Sequence, residues 1–150
     1  MRNALIGFLG LTVLLVPCVI MDLRKRKLPV IWLLGLLPVS FAVNLLTGRV
    51  SLWAMVFGVV YGGIFLLVAL ASRESIGFGY GIMIASAGAL QGGMFVLLSS
   101  AAGFLSAGIF GLVVIKVKKL DRKTRFPFAP FFAAACVLLA VPEFFTGGAS

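Results

Sequence analysis

The longest uncharged stretch of the chain is residues 75–115, SIGFGYGIMIASAGALQGGMFVLLSSAAGFLSAGIFGLVVI. A helix needs roughly 20 apolar residues to cross the hydrocarbon core of a bilayer, and this stretch is about twice that long. It therefore predicts two membrane-spanning helices that fold back on each other. We place the turn between them at Leu90-Gln91-Gly92-Gly93.

Four shorter uncharged stretches lie on either side of the long one, at residues 3–21, 28–48, 50–72 and 126–142. Together the five stretches predict six spans, at approximately 3–21, 29–46, 51–71, 76–90, 94–115 and 128–144. The fourth span is short for a full crossing, so we expect it to begin below the membrane surface or to tilt little. The pattern predicts an all-α membrane protein, a bundle of six transmembrane helices.

The composition excludes a soluble globular protein. Hydrophobic residues make up 62% of the chain and charged residues 11%, and the mean hydropathy is +1.20. A chain of 150 residues has room for one domain, so we expect residues 1–150 to form a single unit.

We expect span 3–21 to be retained and not removed as a signal peptide, because the stronger basic cluster follows it.

The positions of the basic residues predict the orientation, because Lys and Arg accumulate in cytoplasmic loops. Basic residues follow the first, third and fifth predicted spans: Arg24, Lys25, Arg26, Lys27, Arg73, Lys116, Lys118, Lys119, Arg122, Lys123 and Arg125. Only Arg2 and Arg49 fall on the other side. We therefore expect both termini outside, the loops 22–28, 72–75 and 116–127 in the cytoplasm, and a multi-pass protein of the cytoplasmic (inner) membrane.

The same asymmetry explains the formal net charge of +9. A nucleic-acid groove binder needs a soluble basic face, which this chain lacks, so we expect no nucleic-acid partner. The basic loops instead favour a lipid bilayer with anionic headgroups, by about 1 kcal/mol for each nearby charge.

The metal-ligating residue types are nearly missing from the sequence. Cys18 and Cys136 are isolated in different spans, and the chain contains no histidine. Because zinc and iron–sulfur sites need several ligands at close spacing, we expect no metal and no other cofactor.

Small residues predict where the helices approach one another, since membrane helices pack through close backbone contacts. Gly103, Ala107 and Gly111 form one stripe on the fifth span. Gly88 and Gly92 mark the end of the fourth span, and Gly58, Gly62 and Gly63 lie together in the third. Two polar residues, Asn44 and Gln91, lie close to the outer boundary, where we expect them to face the interface.

Asp22 ends the first span and is followed directly by basic residues, in Met21-Asp22-Leu23-Arg24-Lys25-Arg26-Lys27-Leu28-Pro29. Ionisable groups in or beside membrane spans are costly to hold there, so a functional role is a natural hypothesis. The alternative is a boundary acid that pairs with the neighbouring basic cluster.

Gly77-Phe78-Gly79-Tyr80 opens the fourth span on the same predicted side of the membrane as Asp22. Glycines at alternate positions let the backbone approach a neighbouring helix or an extended substrate segment, because no side chain projects from them. A third motif, Phe126-Pro127-Phe128-Ala129-Pro130-Phe131, precedes the last span on that side.

Taken together, the three motifs resemble those of the type IV prepilin peptidase family of membrane aspartic proteases. The family's second motif is Gly-x-Gly-Asp, and its last span begins with Pro-Phe-x-Pro-Phe. The resemblance covers nearly the whole chain and implies a membrane aspartic endopeptidase that cleaves the leader peptide of type IV pilin-like precursors. Larger relatives carry a cysteine-rich methyltransferase region, which the short 22–28 loop replaces, so we expect no methyl transfer.

The resemblance assigns the first catalytic aspartate to Asp22 and the second to the position of Tyr80, with Gly77 and Gly79 as motif glycines. In the family one carboxyl accepts a proton from water while the other, protonated, polarises the scissile carbonyl. A phenol loses its proton only near pH 10, so it can donate a hydrogen bond but cannot alternate between acid and base at neutral pH. We expect this chain to be inactive or an inactivated variant.

Several alternatives stay open at this point. Tyr80 could be an inactivating substitution in a working peptidase, the mark of a natural relative that binds pilin-like helices without cleaving them, or part of a different catalytic pair. Glu74 and Asp121 are the cytoplasmic acids that could replace the second aspartate, whereas Glu143 is expected on the opposite side. A transporter is disfavoured, because no predicted span carries an ionisable residue near its middle.

Overall fold

The structure of the protein, a computed structural model, describes residues 2–25, 28–72, 77–121 and 126–146. These residues form six helices and no strand, which confirms the prediction of an all-α chain. The helices are α1 (Arg2–Lys25), α2 (Val30–Thr47), α3 (Leu52–Ala71), α4 (Phe78–Gln91), α5 (Gly93–Lys118) and α6 (Ala129–Phe145). The turn predicted at residues 90–93 lies at Gly92, which has a φ of 95°, a left-handed value that glycine adopts without strain.

Four of these helices, α1, α2, α3 and α5, are long and apolar enough to cross a membrane. This character indicates a multi-pass membrane protein. α4 is shorter, with 14 residues, and at 1.5 Å per residue it is about 21 Å long, against a hydrocarbon core of about 30 Å. The observed length agrees with the expectation that the fourth helix is short.

α4 lies at the centre of the bundle and contacts α1, α2, α3 and α5. Every residue from Gly81 to Gln91 is buried. A helix that is apolar or small on all sides is suited to such a position, because no face of it requires water.

α3 and α4 approach each other closely. A Cβ atom placed on Gly58 would lie 2.6 Å from the Cα atom of Gly88, closer than real Cβ atoms come to backbone. One turn further along, a Cβ atom on Gly62 would overlap the backbone of Ala85. The predicted packing role of Gly58, Gly62 and Gly88 is therefore confirmed, whereas Gly63 has no neighbour within 4 Å.

The small-residue stripe of α5 faces the last helix and the segment before it. A Cβ atom on Gly103 would lie 3.1 Å from the Cα atom of Phe132, and one on Gly111 would lie 3.4 Å from the ring of Phe126. The stripe thus lets α6 and the Phe126–Phe128 segment pack against α5.

Asn44 is buried, with 2% of its surface exposed, so the expectation that it faces the interface is wrong. Its side-chain amide donates to the carbonyl oxygens of Ala89 (2.7 Å) and Leu90 (3.0 Å). The last carbonyls of a helix have no partner within the helix, and at the end of the buried α4 no water reaches them. Asn44 supplies the missing donor from α2.

Gln91 is also more buried than expected, at 9% exposed. Its Oε1 accepts a hydrogen bond of 2.5 Å from the guanidinium of Arg49. The same guanidinium lies 3.7 Å from a carboxylate oxygen of Glu143 and packs over Gly7. Burial lowers the pKa of Arg49, and the charge of Glu143 partly offsets this effect. We call this end of the bundle the Arg49 end, and the opposite one the Asp22 end.

Candidate active site at the Asp22 end

Asp22 lies in the last turn of α1 and is 1% exposed. It continues the buried face of that helix, which also carries Leu11, Leu15 and Cys18 at helical spacing. The carboxylate forms no ion pair with Arg24 or Lys25 in the described part of the chain, and both of those side chains are exposed. Of the basic cluster that follows Asp22, Arg24 and Lys25 therefore do not pair with it, and Arg26 and Lys27 lie outside the described residues.

Tyr80 lies in the first turn of α4 and points at Asp22. Its hydroxyl donates a hydrogen bond of 2.7 Å to Oδ1 of Asp22, although the two residues are 58 positions apart. The two motif positions identified in the sequence are thus brought into direct contact, on the helices α1 and α4.

The motif glycines make room for this arrangement. A Cβ atom on Gly79 would lie 2.6 Å from the Cβ atom of Leu28, so the start of α4 packs directly against a residue two positions before α2. A Cβ atom on Gly77 would lie 3.1 Å from the ring of Tyr80. Gly77 therefore makes room for the ring of Tyr80, which packs against the start of its own helix, and Gly79 makes room for Leu28.

The third motif completes the site at the beginning of α6. The backbone N–H of Ala129 donates to Oδ2 of Asp22 at 2.9 Å, and the N–H of Phe128 lies 3.5 Å from the hydroxyl of Tyr80. The Phe128 ring meets the Tyr80 ring edge to face at 5.4 Å and stacks on Phe104 at 4.3 Å. Asp22, Tyr80 and the start of α6 consequently form one cluster.

Asp22 caps the N-terminus of α6 from another helix. The first N–H groups of a helix lack partners within it, and α6 begins without the Ser, Thr, Asp or Asn residue that usually supplies one. A negative charge is also stabilised at a helix N-terminus by the helix dipole. The Ala129 contact was not foreseen from the sequence, yet the missing local cap on α6 was a signal that an acceptor had to come from elsewhere.

Both carboxylate oxygens of Asp22 have a donor, and the group is closed off from solvent. A proton-sharing pair of carboxyls cannot form with a phenol at position 80, because the phenol is not a proton acceptor at neutral pH. In this chain the cluster links α1, α4 and α6. Acid–base catalysis at these positions would require a second carboxyl group in place of the Tyr80 phenol.

The other acids do not join the cluster in the described part of the chain. Asp121 is exposed and is not a hydrogen-bond partner of Asp22. Glu74 lies outside the described residues. Glu143 is at the Arg49 end, at the far side of the bundle from Asp22, as expected from its position in the sequence.

Exposed basic side chains also lie at the Asp22 end, whereas Arg2 is exposed at the opposite end of α1. Arg24 and Lys25 lie in the last turn of α1, and Lys116 and Lys118 lie in the last turn of α5.

A comparison of the chain with protein-family models, with curated proteins and with solved structures finds no match.

Proposed function

We propose that this chain is a small prepilin-peptidase-type membrane protein that recognises type IV pilin-like precursors, and in which Tyr80 blocks the aspartic endopeptidase reaction. In this proposal all six helices cross the cytoplasmic (inner) membrane, both termini lie outside, and the Asp22 end faces the cytoplasm. The substrate has a short basic leader followed by an apolar helix, and anionic lipid headgroups surround the basic loops.

The observation that supports this proposal is the hydrogen bond between Tyr80 and Asp22. The three motifs come from separate parts of the chain, and their key residues meet at one buried point. Asp22 is held inside the bundle, where burying a charged group is costly unless it is fully paired.

Tyr80 blocks the endopeptidase reaction because its side chain is longer than that of aspartate. The phenol oxygen reaches farther from the backbone than an aspartate oxygen would, and it occupies the space beside Oδ1 of Asp22. An aspartate at position 80 would withdraw from Asp22 and leave room between the two carboxyls for a water molecule. That water is the nucleophile that adds to the scissile carbonyl carbon in an aspartic protease, one carboxyl taking its proton while the other protonates the carbonyl oxygen.

The saturation of the Asp22 carboxylate favours a second candidate function, a non-catalytic protein that binds pilin-like helices. Both carboxylate oxygens of Asp22 are satisfied, by Tyr80 and by the start of α6, which is a stable structural arrangement. In such a protein Asp22 acts only as a link between helices.

The test replaces Tyr80 by aspartate in the full chain, in membranes that also contain a pilin-like precursor from the same genome. We expect the Tyr80→Asp variant to cleave the precursor at least about 10²-fold faster than the parent chain, because a general acid–base group contributes roughly 10²–10⁴-fold. Tyr80→Asn is the matched control, since it is similar in size to aspartate but cannot take up a proton at neutral pH.

Two outcomes decide between the functions. Cleavage by Tyr80→Asp, lost again on Asp22→Asn in that background, supports the blocked peptidase. If Tyr80→Asp leaves the precursor intact while the precursor still co-purifies with the parent chain, the peptidase proposal is rejected and the binding function stands.

A further inference from the structure

A continuous row of aromatic rings leads from α3 across α5 to the candidate site. Phe65 on α3 stacks on Phe104 of α5, with ring centroids 5.4 Å apart and an angle of 11° between the ring planes. Phe104 stacks in turn on Phe128 at 4.3 Å, and the Phe128 ring meets the Tyr80 ring at 5.4 Å. In the described part of the chain neither α3 nor α5 donates a hydrogen bond to Asp22. The row of rings nevertheless connects both helices to the site.

Phe128 belongs both to this row of rings and to the backbone that binds Asp22. The residue is buried, with 7% of its surface exposed, and its N–H lies 3.5 Å from the hydroxyl of Tyr80. The next N–H along the chain, that of Ala129, donates to Oδ2 of Asp22 at 2.9 Å. The position of one ring is therefore coupled to two of the N–H groups that face the site.

The chain on either side of Phe128 has little torsional freedom. Pro127 and Pro130 flank the pair Phe128-Ala129, and each proline ring fixes its own φ at about −65°. A Cβ atom on Gly103 would lie 3.3 Å from the Phe128 ring, so α5 packs tightly against that ring. A displacement of the ring is consequently passed on to the N–H groups, because few torsions are available to absorb it.

We infer, on the basis of the proposed function, that Phe104 is a positioning residue of the Asp22 site. It acts through Phe128: the stacked ring holds Phe128 in place, and Phe128 holds the N–H groups that face the carboxylate and the phenol. Aromatic pairs have a preferred geometry and contribute to stability beyond the area that they bury. An aliphatic side chain at position 104 fills part of the same space but does not fix the orientation of the Phe128 ring.

Phe110 on the same helix is a matched control for Phe104. The two residues are 47% and 39% exposed. The Phe110 ring meets the rings of Phe126 at 6.3 Å and Phe131 at 5.2 Å. Among the described residues it forms no ring pair with Phe128. Phe110 therefore contacts the segment at the start of α6 without reaching the site.

Hydrogen exchange of the Ala129 N–H in the full chain, purified in detergent, tests the inference. This N–H donates to Asp22, so its exchange measures how often the contact opens. We expect Phe104→Leu to lower its protection by about 2- to 12-fold, the contribution of one aromatic pair. The N–H of Ala87, in the buried middle of α4, should keep its protection. Phe104→Tyr, which retains the ring, should match the parent chain, and so should Phe110→Leu.

The comparison of amides separates positioning from a merely structural contribution. An equal loss of protection at Ala129 and Ala87 in Phe104→Leu overturns the inference, and so does an equal loss at Ala129 in Phe110→Leu. If Phe104→Leu does not fold, Phe65→Leu decides, because Phe65 is one ring further from the site. We expect it to lower the Ala129 protection about twofold, and unchanged protection in that variant overturns the inference.

The Tyr80→Asp background tests the consequence for catalysis, with a pilin-like precursor from the same genome. We expect Phe104→Leu to lower kcat by about 10- to 100-fold, because misplacing a catalytic group by about 1 Å can cost about 10²-fold. KM should stay unchanged, since Phe104 acts on the site and not on the substrate. A raised KM with an unchanged kcat overturns the positioning role. If Tyr80→Asp does not cleave the precursor, the proposed function fails, whereas the exchange of the Ala129 N–H still decides the role of Phe104.

Discussion

The carboxylate of Asp22 accepts a hydrogen bond of 2.9 Å from the backbone N–H of Ala129, 107 positions later in the chain. This contact joins the end of the first helix to the start of the last. Asp22 thus has a structural role in this chain, whatever chemistry its position supports.

Replacing Asp22 by alanine is expected to destabilise the protein through this role. The change leaves the N–H of Ala129 and the hydroxyl of Tyr80 without their acceptor in a buried place, at about 1–3 kcal/mol for each group. Thermal unfolding of the purified protein in detergent measures the loss. Ser106→Ala is the control, because that hydroxyl is exposed and bonds only to its own helix, and a destabilisation of Asp22→Ala no larger than that of the control would contradict the structural role.

Tyr80→Phe and Tyr61→Phe form a matched pair of hydroxyl deletions. Tyr80 donates to a carboxylate, whereas the hydroxyl of Tyr61 bonds to the hydroxyl of Ser100 at 2.8 Å. Hydrogen bonds to charged groups contribute about 1.5–3 kcal/mol, against about 0.5–1.5 kcal/mol for neutral pairs. We expect the larger loss of unfolding free energy from Tyr80→Phe, and the reverse order would show that the Tyr80 contact is weak.

Gly58→Ala and Gly63→Ala test the contact between α3 and α4 within one helix. The methyl group of the first variant would meet the backbone of Gly88, whereas the second has open space. We expect Gly58→Ala to lower the unfolding free energy by about 1–3 kcal/mol. Gly63→Ala should be neutral, or stabilising by up to about 1 kcal/mol, because alanine favours a helix over glycine. Equal effects of the two changes, measured by thermal unfolding, would argue against the close approach.

Arg49→Ala and Glu143→Gln separate the two interactions of the Arg49 end. The Arg49 side chain is 15% exposed and bonds to the buried Gln91, while the Glu143 side chain is 48% exposed. We expect Arg49→Ala to destabilise by about 1–3 kcal/mol, the cost of leaving a buried group unpaired. Glu143→Gln should change stability by less than about 1 kcal/mol, because exposed ion pairs contribute little. A larger effect of Glu143→Gln in an unfolding assay would reverse this ranking.

The sequence was sufficient to predict the helices themselves. Uncharged stretches of the length of a membrane span, separated by charged residues, predicted six helices whose bounds the structure reproduces within a few residues. The break at Gly92 and the packing role of Gly58 and Gly88 were also predictable, because both depend on local properties of glycine. The meeting of Asp22 and Tyr80 was expected only through the motif resemblance.

The sequence by itself therefore determined where this protein forms helices and which residues could be chemically important, since hydropathy and backbone preference act over a few neighbouring positions. Only the tertiary structure decided what Asp22, Asn44 and Gln91 do. Asn44 and Asp22 bond to backbone groups at buried helix ends far away in the chain, and Gln91, at the end of α4, accepts a hydrogen bond from Arg49 in the α2–α3 loop. A buried helix end requires a partner, but which residue supplies it depends on how the helices pack, and that is a property of the assembled bundle.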